Sequence, residues 1–143
     1  MSLETAYDPN NIFAKIIRGE MPKVTLYEDD ETLAFMDVFP QSEGHALVIH
    51  KNAASVNILD LPAAALVSVT RTAQKIAQAV VKGLHPDGVR IVQFNGEAAG
   101  QTVFHTHVHI IPMWEGRALG QHGEGMAAPD ALEATAEKIR HAL

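Results

Sequence analysis

Between residues 103 and 112 the chain reads Val-Phe-His-Thr-His-Val-His-Ile-Ile-Pro, with an imidazole at every second position. In an extended strand, side chains two apart share a face. His105, His107 and His109 therefore project one way, while Phe104, Val108 and Ile110 project the other. One face suits a hydrophobic core; the opposite face is a row of rings about 7 Å apart. Three rings so placed cannot readily all be charged, so their protonation states are coupled. A single histidine on a strand is an ordinary surface or hydrogen-bonded residue, but three in strict alternation call for a chemical role. Spacing alone leaves two roles open: zinc ligation, and acid–base or nucleophilic chemistry.

The rest of the chain frames that strand. Ile12, Phe13, Ile16 and Ile17 recur at helical spacing after Asn10-Asn11, which predicts a short helix ending near Gly19, and Pro22 forbids its continuation. Residues 24–28 and 32–37 read as strands joined by the acidic turn Asp29-Asp30-Glu31, with Leu33, Phe35 and Asp37 on one face of the second. A third strand is expected over 45–50. The longest helix should start near Pro62 with Asp60 as its cap, and Leu66, Val69, Ala73, Ile76, Ala77 and Val80 form its apolar stripe. Gly83 and Pro86-Asp87-Gly88 end it. Strands over 89–94 and 103–112 follow, separated by the small-residue loop 95–100. Segment 115–128 should be irregular, and a last helix from Pro129 carries Leu132, Ala136, Ile139 and Leu143. This order does not alternate strand with helix, so it predicts an α+β fold with a mainly antiparallel sheet of about five strands.

Bulk properties narrow the partners. At 143 residues, without repeats or low-complexity tracts, the chain is expected to form one domain spanning 1–143. Eleven Lys and Arg against 17 Asp and Glu give a net charge of −6, which argues against broad binding to a nucleic-acid backbone. No apolar run approaches the roughly 20 residues of a membrane-spanning helix, and the polar start does not resemble a signal peptide. The absence of cysteine rules out disulfides and thiolate metal sites and fits a cytoplasmic location.

The loop before the histidines tilts the choice of chemistry. Gly96 and Gly100 allow close backbone approach to a ligand, and Gln101 and Thr102 add hydrogen-bonding side chains beside backbone N–H groups, a suitable cradle for phosphate oxygens. From Asn95 to Pro112 the sequence resembles the signature of the histidine triad (HIT) family, His-φ-His-φ-His-φ-φ with φ apolar. The resemblance extends to residues 12–20, to Leu33-Ala34-Phe35-Met36-Asp37, to Pro40-Gln41 and to residues 44–49. It covers roughly 11–112, leaving 113–143 as a variable C-terminal segment, and its order and spacing are similar to the Hint branch.

That resemblance implies a homodimer whose sheet continues across two subunits, a purine nucleoside monophosphate or its conjugate as ligand, and hydrolysis of adenosine phosphoramidates or related nucleotidyl conjugates. It implies that His107 is the nucleophile, and that His105 and His109 orient it and hydrogen-bond the phosphate or leaving group. His45 matches a further family histidine, and Asp37 a carboxylate that accepts from ribose hydroxyls. Ile12, Phe13, Ile16, Val38 and Leu47 match positions lining the base pocket. Asn95, Gly100, Gln101, Thr102 and Val103 fall where ribose and phosphate are contacted.

No cofactor is expected, since a neutral imidazole is a competent nucleophile near neutral pH. Two departures stand out. Thr106 replaces an apolar residue on the core side, where its hydroxyl needs a hydrogen bond, its own backbone being one candidate partner. Some bacterial relatives carry a zinc-binding Cys-x-x-Cys where this chain has Asn11-Ile12-Phe13-Ala14, so no metal is expected. The alternatives are a nucleotide-binding regulatory module with vestigial activity, and a zinc-dependent hydrolase using the histidines as ligands. His50, His85, His122 and His141 are expected at the surface. The C-terminal stretch that includes Trp114 varies among family members, and the resemblance implies that it helps decide the leaving group accepted, partly across the dimer; for Trp114 itself packing and recognition both stay open.

Overall fold

The computed structural model describes residues 3–120 and 125–143. The first helix, α1, runs Ile12–Ile17, and Asn11 caps it by accepting from the Ala14 N–H at 2.9 Å. Strands β1 (Thr25–Glu28), β2 (Thr32–Met36) and β3 (Ala46–His50) follow. Helix α2 spans Ala63–Leu84, β4 is Gly88–Val92, β5 is His107–Met113, and α3 is Pro129–Arg140. The strands form one antiparallel sheet in the order β1-β2-β3-β5-β4.

Period-two alternation divides the sheet into two chemically distinct faces. On one, Ala34, Met36, Ala46, Val48 and Ile110 pack beneath Val69, Ala73, Ile76 and Val80 of α2 and Leu132, Ala136 and Ile139 of α3. On the other, Leu33, Phe35, Leu47 and Ile49 meet Phe13 and Ile16 of α1. Covering both faces explains why β2 and β3 are buried along their entire length. The register then places the functional residues: Leu47 pairs with His109 and Ile49 with His107, while Phe35 and Leu33 sit across from Leu47 and Ile49. His107 and His109 thus stand beside the apolar row that α1 covers.

Several boundaries differ from expectation. Strand β5 starts at His107, so His105 precedes the regular ladder, and Phe104 is half-buried outside the core. Thr106 meets its hydroxyl's need through Ser55, bonding both its side chain and its carbonyl. Asp60 does not cap α2; it closes a 3₁₀ turn by accepting from the Val56 and Asn57 N–H groups, and Pro62 occupies the cap position. Leu143 lies beyond α3 and is exposed. His50 is buried rather than superficial, its Nδ1 accepting from the Asn52 and Ala53 N–H groups to shape the turn after β3. His85 and His141 are exposed as expected, and His122 lies outside the described residues. Segments 115–120 and 125–128 carry neither helix nor strand, and no helix among the described residues is long and apolar enough to cross a membrane.

Candidate active site

A cavity of about 310 Å³ opens on the α1 side of the sheet. Its floor and walls include Ile12, Phe13, Ile16, Phe35, Val38 and Leu47, with Thr102, Val103, Asp37, His107 and His109 at the polar end. Ten of the fifteen residues singled out from the sequence line it. Met21, Pro22, Lys23, Met36, Phe39 and Met126 join them without having been anticipated, as does Phe35. Phe35 was the readable one, since it shares the Leu33 face with Asp37. Met126 comes from the irregular C-terminal segment, which returns to the pocket because the Ala127 N–H donates to the Val38 carbonyl.

Hydrogen bonds fix which ring nitrogen carries the proton. His107 Nδ1 lies 2.6 Å from the His105 carbonyl oxygen. A carbonyl only accepts, so Nδ1 holds the hydrogen and the neutral ring keeps its lone pair on Nε2. Phe13 braces the ring edge-on at a centroid distance of 4.9 Å, and the His107 and His109 rings are also 4.9 Å apart, closer than straight strand geometry suggests.

The opposite assignment follows for His109. The Gln41 N–H donates to His45 Nδ1 at 3.0 Å, so His45 carries its hydrogen on Nε2. That nitrogen is 2.9 Å from His109 Nδ1, which must accept, leaving His109 with an N–H at Nε2. Asp37 Oδ2 lies 3.5 Å from His45 Nε2, and its other oxygen accepts from the Phe39 N–H. Neighbouring rings on one strand therefore present unlike atoms: a lone pair from His107 and a donor from His109. His45, which looks like a surface residue by its place at a strand end, has no exposed surface at all.

His105 is held from both sides. Tyr7 Oη is 2.8 Å from its Nδ1, and the ring also bonds the main-chain carbonyl of His50. Burial, and then the neighbouring His107, hold its pKa down at about 4. It is neutral near pH 7, and its ring nitrogens serve the protein rather than the cavity.

The loop ahead of β5 is built by Gln101 and Asn95. Gln101 Oε1 accepts from the Gly96 N–H, and its Nε2 donates to the carbonyls of Val56 and Val103. Asn95 Oδ1 accepts from the Ile58 N–H and from Gln93. Gly100 adopts φ +107, a conformation that side chains disfavour. These three residues lie outside the cavity lining, whereas Thr102 and Val103 reach it. Among the described residues, one group places metal-ligating atoms together: Asp37, His45 and His109, within 4.8 Å of one another.

Comparisons with known proteins agree with this geometry. The HIT domain family matches residues 18–116. Adenylylsulfatase HINT3 of Arabidopsis thaliana is 38% identical over 117 residues, covering 78% of this chain; the match spans 59% of the plant protein's length. A crystal structure of a Hit-like protein from Bartonella henselae, described as involved in cell-cycle regulation and holding an unknown ligand, has a TM-score of 0.90 and 50% identity, covering 96% of this chain and 100% of that one. A hypothetical histidine triad nucleotide-binding protein from Sulfolobus tokodaii has a TM-score of 0.83 and 30% identity, covering 91% of this chain and 89% of that one.

Proposed function

The chain belongs to the histidine triad family, and on that premise we propose that it is a purine-nucleotide-binding hydrolase or transferase working through a nucleotidyl-His107 intermediate. The carrying observation is the 2.6 Å bond from His107 Nδ1 to the His105 carbonyl, which leaves the lone pair on Nε2 in a ring that lines the cavity. The purine lies in the apolar slot between Ile12, Phe13, Ile16, Val38 and Leu47. Asp37 accepts from the ribose hydroxyls, and Thr102 and Val103 flank the α-phosphate.

In the first half-reaction the His107 Nε2 lone pair forms a bond to the α-phosphorus as the bond to the leaving group breaks. A leaving amine departs with that electron pair and takes a proton from solvent. The imidazole gains positive charge, which its Nδ1–H shares with the His105 carbonyl. Charge building on the phosphoryl oxygens meets the His109 Nε2–H, a fixed donor that need not ionise. Water then attacks phosphorus, losing a proton to solvent, and the phosphorus–imidazole bond breaks to return the lone pair to Nε2. His105 acts on this chemistry through its carbonyl, and Gln101 and Asn95 act by shaping the loop.

Adenosine phosphoramidates are the substrates this chemistry favours, and the plant relative's name adds adenylyl sulfate to the conjugates worth testing. The subunits associate as a homodimer through β4. This strand ends the sheet with Ile91 53% exposed, beside an apolar groove formed with Leu66, Val67 and Ala73.

The test is turnover of an adenosine phosphoramidate by wild type and by His107→Ala, with AMP binding measured on both. Turnover lost only in the variant, with binding kept, supports the reading; binding without turnover in either protein makes it a nucleotide-binding module. A zinc-dependent hydrolysis has one observation in its favour, the Asp37, His45 and His109 cluster. Activity that disappears with a chelator and returns with zinc would select it.

A further inference from the structure

The His107 tautomer depends on where the His105 carbonyl stands, and His105 is fixed by a residue from outside the sheet. Tyr7 belongs to the segment before α1, 98 positions away in sequence, yet its hydroxyl reaches His105 Nδ1 at 2.8 Å and its ring lies 5.7 Å from the imidazole. The His105 ring also bonds the His50 carbonyl. A carbonyl demands a donor, so that ring nitrogen carries the hydrogen, and in the neutral ring Nδ1 must accept from the Tyr7 hydroxyl. His105 precedes the regular part of β5, where the β3–β5 register begins at the Ile49–His107 pair; on that side its peptide is tied only through Thr106, whose N–H donates to the Ser55 carbonyl. The ring is only 2% exposed, and a cavity of about 210 Å³, lined by Tyr7, Ala14, Lys51 and Ala54 among others, borders it on this side. Without the hydroxyl, the His105 ring has room to turn, and the bond from the Thr106 N–H to the Ser55 carbonyl is left as the remaining tether on the peptide that carries the His105 carbonyl.

We propose that Tyr7 is a positioning residue for His107: its hydroxyl locks His105, and the His105 carbonyl locks the nucleophile with its hydrogen on Nδ1. The N-terminal segment is then part of the catalytic apparatus, though it touches neither substrate nor nucleophile. The kinetic consequence rests on the nucleophile reading above; the tautomer consequence does not.

Two-bond ¹H–¹⁵N correlation of the histidine rings in the ligand-free protein near pH 7 reads the lock directly. In wild type, His105 should show a bare Nδ1 and His107 a bare Nε2. Tyr7→Phe keeps the aromatic ring and removes only the donor. It should shift His105 Nδ1 and convert His107 to a mixture of tautomers. With adenosine phosphoramidate, kcat should fall about tenfold while KM changes less than about twofold, as expected for a misplaced group rather than lost binding. Tyr7→Ala separates donor from packing. If Tyr7 acts only as a filler, Tyr7→Phe matches wild type in tautomer and in kcat, and only Tyr7→Ala is impaired; that result overturns the proposal. Should neither protein turn over phosphoramidate, the nucleophile reading fails, and the ring spectra still decide whether Tyr7 sets the tautomer.

Discussion

His45 Nε2 and His109 Nδ1 meet at 2.9 Å inside the protein, joining the end of one strand to the middle of its neighbour. Because the Gln41 N–H occupies the far side of the His45 ring, the hydrogen between the two imidazoles belongs to His45. His109 is thereby made a donor toward the cavity without being charged. His45→Phe keeps a ring of similar size and withdraws that hydrogen. Turnover should drop by about 10²-fold, within the range seen when one transition-state donor is lost, while AMP affinity stays within a few-fold. Equal loss of affinity and turnover would assign His45 to binding instead.

The buried neutral state of His105 links stability to pH. Its pKa is held at about 4 in the folded chain, chiefly by burial and next by His107, against an ordinary value of 6.5. Between those values the unfolded chain takes up a proton that the folded chain refuses. The stabilisation is complete above about pH 6.5 and is lost as pH falls toward 4, up to ~3 kcal/mol in total. Urea denaturation at pH 7 and pH 5 should show a larger loss for wild type than for His105→Gln. Parallel losses would mean that His105 is not the linked group.

The apolar slot should be sensitive to volume. Val38 is half-buried at its wall and packs only at the margin of the α2–α3 core, so Val38→Trp fills the cavity from its edge. AMP affinity measured by calorimetry should weaken at least about tenfold, with the unfolding midpoint within a few degrees of wild type. Unchanged affinity would place the purine elsewhere.

The exposed face of β4 offers a separate check. Ile91→Lys puts a charge on the end strand beside the Leu66 and Val67 groove. Light scattering behind size-exclusion chromatography should give a dimer for wild type and a monomer for the variant. A wild-type monomer at micromolar concentration would remove the subunit arrangement from the account.

Much of this was legible in local pattern. Alternation placed His107 and His109 on one face, and the shared face of Leu33, Phe35 and Asp37 led to the pocket. Apolar periodicity found α2 and its stripe, because one helix face buries against one sheet face and leaves a regular trace. What pattern could not carry was contact between distant segments. His45 looks superficial at the start of a strand, yet the β3–β5 register seats it against His109. His50 looks equally superficial and is buried because the following turn folds its N–H groups onto the ring. Tyr7 and Met126 approach the histidines and the pocket from irregular segments, where no period records which side faces inward. Asp60 illustrates a local competition: a good helix cap by type, it is taken by a nearer turn.

The proposed chemistry turns on which atom bonds to phosphorus. Rapid acid quench of the protein with an adenosine phosphoramidate, followed by peptide mass spectrometry, should find one adenylyl group per chain on the peptide bearing His107. Phosphorus–nitrogen coupling in ¹⁵N-histidine protein should place that group on Nε2. An adduct on His105 or His109, on Nδ1 of His107, or on no residue while turnover proceeds at full rate would contradict it.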